Sequence, residues 1–483
     1  REWRRKCRHH GQKHRMNSDD FYERRAGLLL HPTSLPSGVL DRDVERWLGV
    51  MVDAGISVWQ VLPLGEPKGG LSPYQCISAF AMNPALLADY PEIDKTVPGY
   101  IEFCTRNHGW LYDYALFKVL KQMYNDAPWY DWPDEWKFRQ PHAMRRAFDD
   151  FRDYVAELSW EQFQLYQRWH QIKRKAHDKN ILLFGDIPLF VAHDSVDVWA
   201  HPEQFMLDQD GMLTVVTGVP PDYYSATGQR WGNPHYNWEV MRRENYSWWL
   251  ARISHQIDQT DLVRIDHFRG LESAWVIDAA CDTAIDGHWE KMPGDELLTR
   301  IHQDVGHLPI VAEDLGIITP EVRALRKKHH LPGMAVLQFG FDEHEDNPHK
   351  PHNIDEDTVA YTGTHDNDTT KGWFNSLNDS DKKYILETLD LRGYSIDSSE
   401  SNTSTADQVV DKLIDDALYS KASLCVVPLQ DCLHLDSDAR MNTPGTAHGN
   451  WEWSFAWDQI DVEMTADMRI RVEQSGRLIR KDG

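Results

Sequence analysis

Across 483 residues the sequence has no apolar run approaching the roughly 20 residues that a helix needs to cross a bilayer. No apolar core follows the basic start as it would in a secretion signal, so a soluble, cytoplasmic protein is expected. Cysteine is scarce. The six residues Cys7, Cys76, Cys104, Cys281, Cys425 and Cys432 show no C-x-x-C spacing, which argues against a disulfide framework or a zinc site and predicts reduced thiols. Positive charge is also short: 51 Lys+Arg against 76 Asp+Glu leave a net charge of −25. Such a surface repels phosphate backbones and anionic lipid, which counts against nucleic-acid and membrane-surface partners. No His-x3-His or Cys/His cluster accompanies the acids, so neither a metal nor any other cofactor is expected.

Tryptophan, by contrast, is abundant: 20 residues against 16 Phe and 18 Tyr. Burial alone does not require this, because Leu or Phe fills a core as well, and flat aromatic faces suit sugar rings. Packing with a satisfied indole N–H explains most of them singly.

Residues 1–15 (REWRRKCRHHGQKHR) are basic, His-rich and have little to bury; they read as a disordered arm of vector or upstream origin. Residues 16–483 read as one catalytic barrel. Eight short apolar runs, beginning at Ala26, Ile56, Ile181, Asp261, Leu308, Met334, Thr358 and Ala422, have the continuous β-branched character of buried parallel strands. Each precedes a connection long enough to cross over, which predicts an α/β fold, a (β/α)8 TIM barrel. Two connections are oversized. Residues 65–180 read as a helical insertion subdomain, with Tyr112, Leu116, Leu120 and Met123 on one helix face and Leu165, Trp169, Ile172 and Ala176 on another. Ser159 and Gln162 have the spacing of a capping box that would start the second helix. Residues 192–260 read as an insertion carrying a long aromatic lid loop, because Gly218, Pro220, Pro221, Gly228, Gly232 and Pro234 forbid a long regular element. Tyr223, Tyr224, Trp231, Tyr236 and Trp238 argue that this loop is ordered.

In a parallel barrel the active site lies at the carboxyl ends of the strands. Three runs end in acids there: Asp266 after LVRI, Glu313 after PIVA and Asp366 after YTGTH. A single such acid is most often a cap or a surface charge, but three converging from different strands suit glycosidic chemistry. That chemistry needs one carboxyl protonated for the leaving oxygen and another ionised against an oxocarbenium-like centre. Arg264 shares a strand face with Asp266, where its guanidinium would hold the aspartate ionised. His267 and His365 flank the acids as hydroxyl ligands, Asp186 ends another run, and Tyr74 sits in SPYQ at the same rim.

Eight strings in order then carry a specific resemblance: HPTSLPSG at His31, SPYQ at Ser72, GDIPLFVAHDSVDVWAHP at Gly185, GVPPDYYSATGQRWGNP at Gly218, RIDHFRG at Arg264, VAEDLG at Val311, THDNDTTKGWF at Thr364 and NTPGTAHGNWEW at Asn442. From about Gly27 to about Trp453 the chain resembles the amylomaltases, or 4-alpha-glucanotransferases, barrel enzymes related to alpha-amylase. The resemblance implies Asp266 as nucleophile, Glu313 as acid/base and Asp366 as stabiliser of the distorted sugar. It implies that Arg264, His365, Asp186 and Tyr74 hold the ring at the cleaved bond, and that Tyr223, Tyr224 and Trp231 form an aromatic lid on the acceptor side. The implied substrates are maltooligosaccharides and starch- or glycogen-derived glucans, with glucose as an acceptor. Two departures are mild: Tyr224 stands where the family more often has Phe, and Ser454 where an Arg commonly follows GNWEW. Retention at the anomeric carbon needs nucleophile and acid/base about 5 to 5.5 Å apart. The rival expectations are an alpha-glucan hydrolase using the same acids and a non-catalytic glycan-binding barrel.

Overall fold

The structure, a computed structural model, describes residues 23–480 apart from 90–91, 95, 222–224, 392–403 and 447. The basic arm of residues 1–15, and Tyr223 and Tyr224, therefore lie outside the described residues.

In chain order the strands are β1 (Arg25–Leu29), β2 (Val58–Gln60), β3 (Leu182–Pro188), β4 (Val215–Val219), β5 (Gln229–Pro234) and β6 (Leu262–Asp266). They continue as β7 (Ser273–Asp278), β8 (Gly287–Lys291), β9 (Ile310–Ala312), β10 (Gly333–Val336), β11 (Thr358–Tyr361) and β12 (Leu424–Pro428). The eight apolar runs supply one strand each to an eight-stranded sheet of order β10-β11-β12-β1-β2-β3-β6-β9, paired in parallel throughout. At the seam between β9 and β10 the Ala312 N–H donates to the Pro332 carbonyl at 2.8 Å, bringing the ends of the sheet together. The fold is a (β/α)8 barrel.

Alternation along each strand sorts side chains into two shells. Val58, Phe184, Val311, Val336, Val359 and Val426 point inward and are fully buried together. Their outward neighbours pack under helices: Leu28, Trp59 and Leu183 join Trp47 and Met51 of the helix Arg42–Asp53 and Leu413 of the helix Thr405–Tyr419. Burial of each such aliphatic side chain contributes about 1.5–3 kcal/mol. The inward parity decides the site. In β6 the inward residues are Leu262, Arg264 and Asp266, and in β3 they are Leu182, Phe184 and Asp186, so one apolar layer gives way to a charged one at the carboxyl end.

Within residues 65–180 lie the helices Tyr100–Arg106, His108–Met123, Pro141–Asp150 and Arg152–Asp178. Leu165, Trp169, Ile172 and Ala176 form a fully buried face, whereas Met123 is 52% exposed. The expected capping box at Ser159 does not exist, because the helix already starts at Arg152. Ser159 Oγ instead donates to the Val155 carbonyl at 2.6 Å, and the Gln162 amide accepts from Met82 N–H and donates to its carbonyl, both at 2.9 Å. A bond within its own helix takes Ser159 and a tertiary contact takes Gln162, two residues whose spacing mimics a helix start.

The glycine- and proline-rich stretch also departs from expectation. β4 and β5 form an antiparallel hairpin, extended by β7 and β8 into a second sheet of order β5-β4-β7-β8. The glycines enable this hairpin. A Cβ on Gly218 would lie 2.1 Å from the Gln229 carbonyl oxygen, and Gly228 takes a φ of +66°, a conformation that side-chain-bearing residues rarely adopt.

Candidate active site

Asp266 is the last residue of β6, and two residues before it Arg264 points into the same space. The buried Arg264 guanidinium forks: Nη1 donates to Asp186 Oδ2 at 2.7 Å and Nη2 to Asp266 Oδ1 at 2.8 Å. Burial alone would lower the pKa of Arg264, but Asp186 and Asp266 hold it well above the usual arginine value. The guanidinium is thus a fixed positive charge between two acids from adjacent strands. Asp186 lies within β3 rather than at its end, and Tyr74 OH also donates to its Oδ2 at 2.8 Å. Burial pushes the Asp186 carboxyl up, and Arg264 opposes that rise.

Glu313 follows β9 by one residue. Its carboxyl accepts the backbone N–H of His267 at 2.7 Å and of Leu315 at 3.0 Å. His267 has a φ of +55°, a sharp turn directly after Asp266, so β6 delivers both the Asp266 side chain and a backbone donor to Glu313. Burial pushes Glu313 up to about 7; Arg264 opposes this, and the charge of Asp266 adds to it. The His267 ring is buried, which pushes its pKa down to about 3 and leaves it neutral.

Asp366 lies five residues past β11, in a turn where Thr364 and Asn367 bond each other. Asn442 Nδ2 donates to its Oδ1 at 2.6 Å, Arg440 Nη2 donates to its carbonyl at 2.7 Å, and His365 Nε2 lies 3.3 Å from Oδ2. Burial alone would raise this carboxyl, but His365, Asn442 and Arg264 together hold it well below the usual carboxylate range. The same pairing raises His365, against its own burial. The His365 ring stacks on Tyr74 at 5.0 Å, and Trp451 lies 5.8 Å from each.

Asp186, Arg264, Asp266, Glu313, His365, Asp366 and Tyr74 thus form one electrostatic network at the carboxyl end of the barrel. Trp231, in β5, presents its ring edge-on to His267 at 4.8 Å and so reaches the same rim. Among the described residues no group of three or more His, Cys, Asp or Glu is arranged to hold a metal ion.

A family model described as 4-alpha-glucanotransferase matches residues 30–93 and 89–459. The chain belongs to the 4-alpha-glucanotransferase family. It is 42% identical to the 4-alpha-glucanotransferase of Thermus thermophilus, with 94% of this chain and 99% of that protein covered. Against the enzyme of that name from Synechocystis it is 39% identical, covering 95% and 99%. Among solved structures, an amylomaltase from Streptococcus agalactiae in complex with acarbose superposes with a TM-score of 0.88 at 28% identity, covering 95% of this chain and 100% of that one. The chain is accordingly an enzyme, a 4-alpha-glucanotransferase on a (β/α)8 barrel.

Sequence reasoning gave Asn442, Arg440 and Trp451 no role. Asn442 is 76 residues from Asp366, so no local pattern links them; the only signal is that Asn442 opens one of the family strings. Replacing Asn442 by Ala removes a donor to a charged acceptor, so kcat on maltotriose is expected to fall about tenfold or more. Unchanged kcat in steady-state assays would show that this bond does no work in turnover.

Proposed function

We propose that the enzyme moves alpha-1,4-glucan segments from a donor maltooligosaccharide to the 4-hydroxyl of an acceptor glucan or of glucose, by a double displacement with retention at the anomeric carbon. One observation carries this reading: two carboxyls of one network are held in opposite states, Glu313 pushed up to about 7 and Asp366 held well below the usual carboxylate range. Pairs of acids separated by their surroundings are the signature of glycosidic acid and stabiliser roles.

In the first step an Asp266 carboxylate oxygen forms a bond to C1 while the C1–O4 bond breaks, and Glu313 gives its proton to the departing oxygen. Asp366 holds hydroxyls of the strained ring, and Arg264 keeps the Asp266 carboxylate aligned. In the second step Glu313 takes the proton of the incoming 4-hydroxyl as that oxygen displaces Asp266 from C1. Transfer requires that a sugar hydroxyl outcompete water, and aromatic side chains at the rim favour a bound sugar over solvent. Trp231 is the described member of that lid, with Tyr223 and Tyr224 as its proposed partners.

Chromatography of products from pure maltotriose tests the reading. Transfer yields a ladder of longer oligosaccharides with little new reducing sugar. Release of glucose and maltose with matching reducing ends would make the enzyme a hydrolase, and an unchanged substrate would leave a binding barrel. Replacing Trp231 by Ala is expected to raise the ratio of hydrolysis to transfer at least about threefold; a ratio equal to that of the wild type rejects the lid role. A cytoplasmic setting is supported by the free state of Cys76, Cys104, Cys281, Cys425 and Cys432. No described helix is long and apolar enough to cross a membrane.

A further inference from the structure

Asp431 lies in the short helix Leu429–Cys432 that follows β12, and it is buried together with Thr362 and Thr370. Thr362 comes directly after β11, and Thr370 opens the next helix, Thr370–Ser376. One carboxylate grips both. Its Oδ2 accepts from Thr362 Oγ1 at 2.6 Å and from Thr370 Oγ1 at 2.7 Å, and its Oδ1 accepts from the Thr370 N–H at 2.8 Å. The turn between those two threonines carries His365 and Asp366. We propose that Asp431 is a positioning residue, which staples the two ends of this turn and so sets where His365 and Asp366 meet the sugar. The proposal rests on the reading of Asp366 as the group that holds the strained ring.

A buried carboxylate is costly. Burial pushes the Asp431 carboxyl up, and its bonds to Thr362 and Thr370 oppose that rise. An apolar side chain would fill such a place without the desolvation cost, so what the acid adds is direction, three donors aimed at fixed points. Packing alone does not fix the turn. A cavity of about 30 Å³ is lined by Asp431 and by His365, Asn367, Asp368 and Thr369 of the turn itself. Where side chains do not interlock fully, hydrogen bonds decide where a loop rests.

Other bonds place the apex of the turn, and Asp431 anchors its base. From the same segment after β12, Ser437 Oγ donates to Asp368 Oδ2 at 2.7 Å, and Arg440 and Asn442 bond Asp366 as described above. From directly after β10, Gln338 Nε2 donates to the Asp368 carbonyl at 3.0 Å and to Thr370 Oγ1 at 3.3 Å. The turn is thus clasped by the segments that follow the two neighbours of its own strand. The Asp431 carboxylate bonds the two threonines and neither His365 nor Asp366, so its effect on the chemistry passes through the turn. A misplacement of about 1 Å in a group that holds the reacting ring costs on the order of 10²-fold in rate.

The test measures maltotriose transfer by Asp431→Ala, Asp431→Asn and Thr362→Val enzymes, well below their unfolding temperatures. The alanine change leaves three donors without an acceptor, so kcat is expected to fall at least about tenfold with KM within about twofold of wild type. Asparagine keeps an oxygen for the Thr370 N–H and offers an amide that the threonine hydroxyls can accept, so it should recover most of kcat. Wild-type kcat in the alanine variant, an effect on KM alone, or asparagine as poor as alanine each overturn the proposal. So does a loss that vanishes on cooling, which marks an effect on stability only. If the alanine variant does not fold, Thr362→Val decides, because it removes one of the three bonds and nearly keeps the shape: kcat lowered about threefold or more sustains the proposal, and unchanged kcat overturns it. The route through the turn is read in an Asp366→Asn enzyme acting on maltosyl fluoride. There the further change Asp431→Ala should cost at least about threefold less than it costs the wild type on the same donor. An undiminished loss assigns Asp431 to the fold and overturns the proposal. If Asp366→Asn alone keeps wild-type kcat, the reading of Asp366 fails first, and the positioning role falls with it.

Discussion

Replacing Asp266 by Asn is expected to lower kcat on maltotriose by at least about 10⁴-fold while leaving saccharide binding nearly intact. The amide has the shape of the carboxylate but supplies no nucleophile, so the bond to C1 cannot form. The fold should tolerate the change, because Asp266 is more exposed than its partners, and Arg264 keeps its bond to the buried Asp186. Truncating Arg264 instead would leave two acids facing each other without their shared cation, and would confuse loss of stability with loss of chemistry. Appreciable maltotriose turnover by the Asp266→Asn enzyme, measured by chromatography, would remove Asp266 from the nucleophile role.

Replacing Glu313 by Gln is expected to cost about 10²–10⁴-fold on maltooligosaccharides, whose leaving oxygen needs a proton. A donor with fluoride at C1 departs without one, so formation of the covalent intermediate from maltosyl fluoride should be much less affected. The pH dependence follows from the same residue. Glu313 is raised to about 7 and must be protonated for the first step, so kcat/KM should fall as pH rises through that value. Asp366 is held low and remains ionised throughout this range, so it contributes no limb there. The Glu313→Gln enzyme acting on the fluoride should lose the alkaline limb near 7. Persistence of that limb would assign it to another group.

The barrel was legible because parallel strands covered on both sides are continuous apolar runs, and all eight carry that mark. The second sheet was hidden for the converse reason. Most of β8 is exposed, with the polar sequence GHWEK, and the β4–β5 hairpin depends on glycines that read as breaks when taken singly. The link between Arg264 and Asp266 was legible from a period of two along one strand. The supports of Asp366 were not, since Asn442 and Arg440 arrive from a distant loop. Ser159 and Gln162 show the opposite failure, a local motif overridden because Ser159 lies inside a longer helix and Gln162 bonds another segment.

The double displacement requires a glycosyl ester at one carboxylate. Mass spectrometry of the Glu313→Gln enzyme, quenched and proteolysed after reaction with a maltooligosaccharyl fluoride, tests this most directly. We expect the added saccharide on the peptide containing Asp266, at that residue. Turnover of the fluoride with no adduct, or with the saccharide on Asp366 or Asp186, would contradict it.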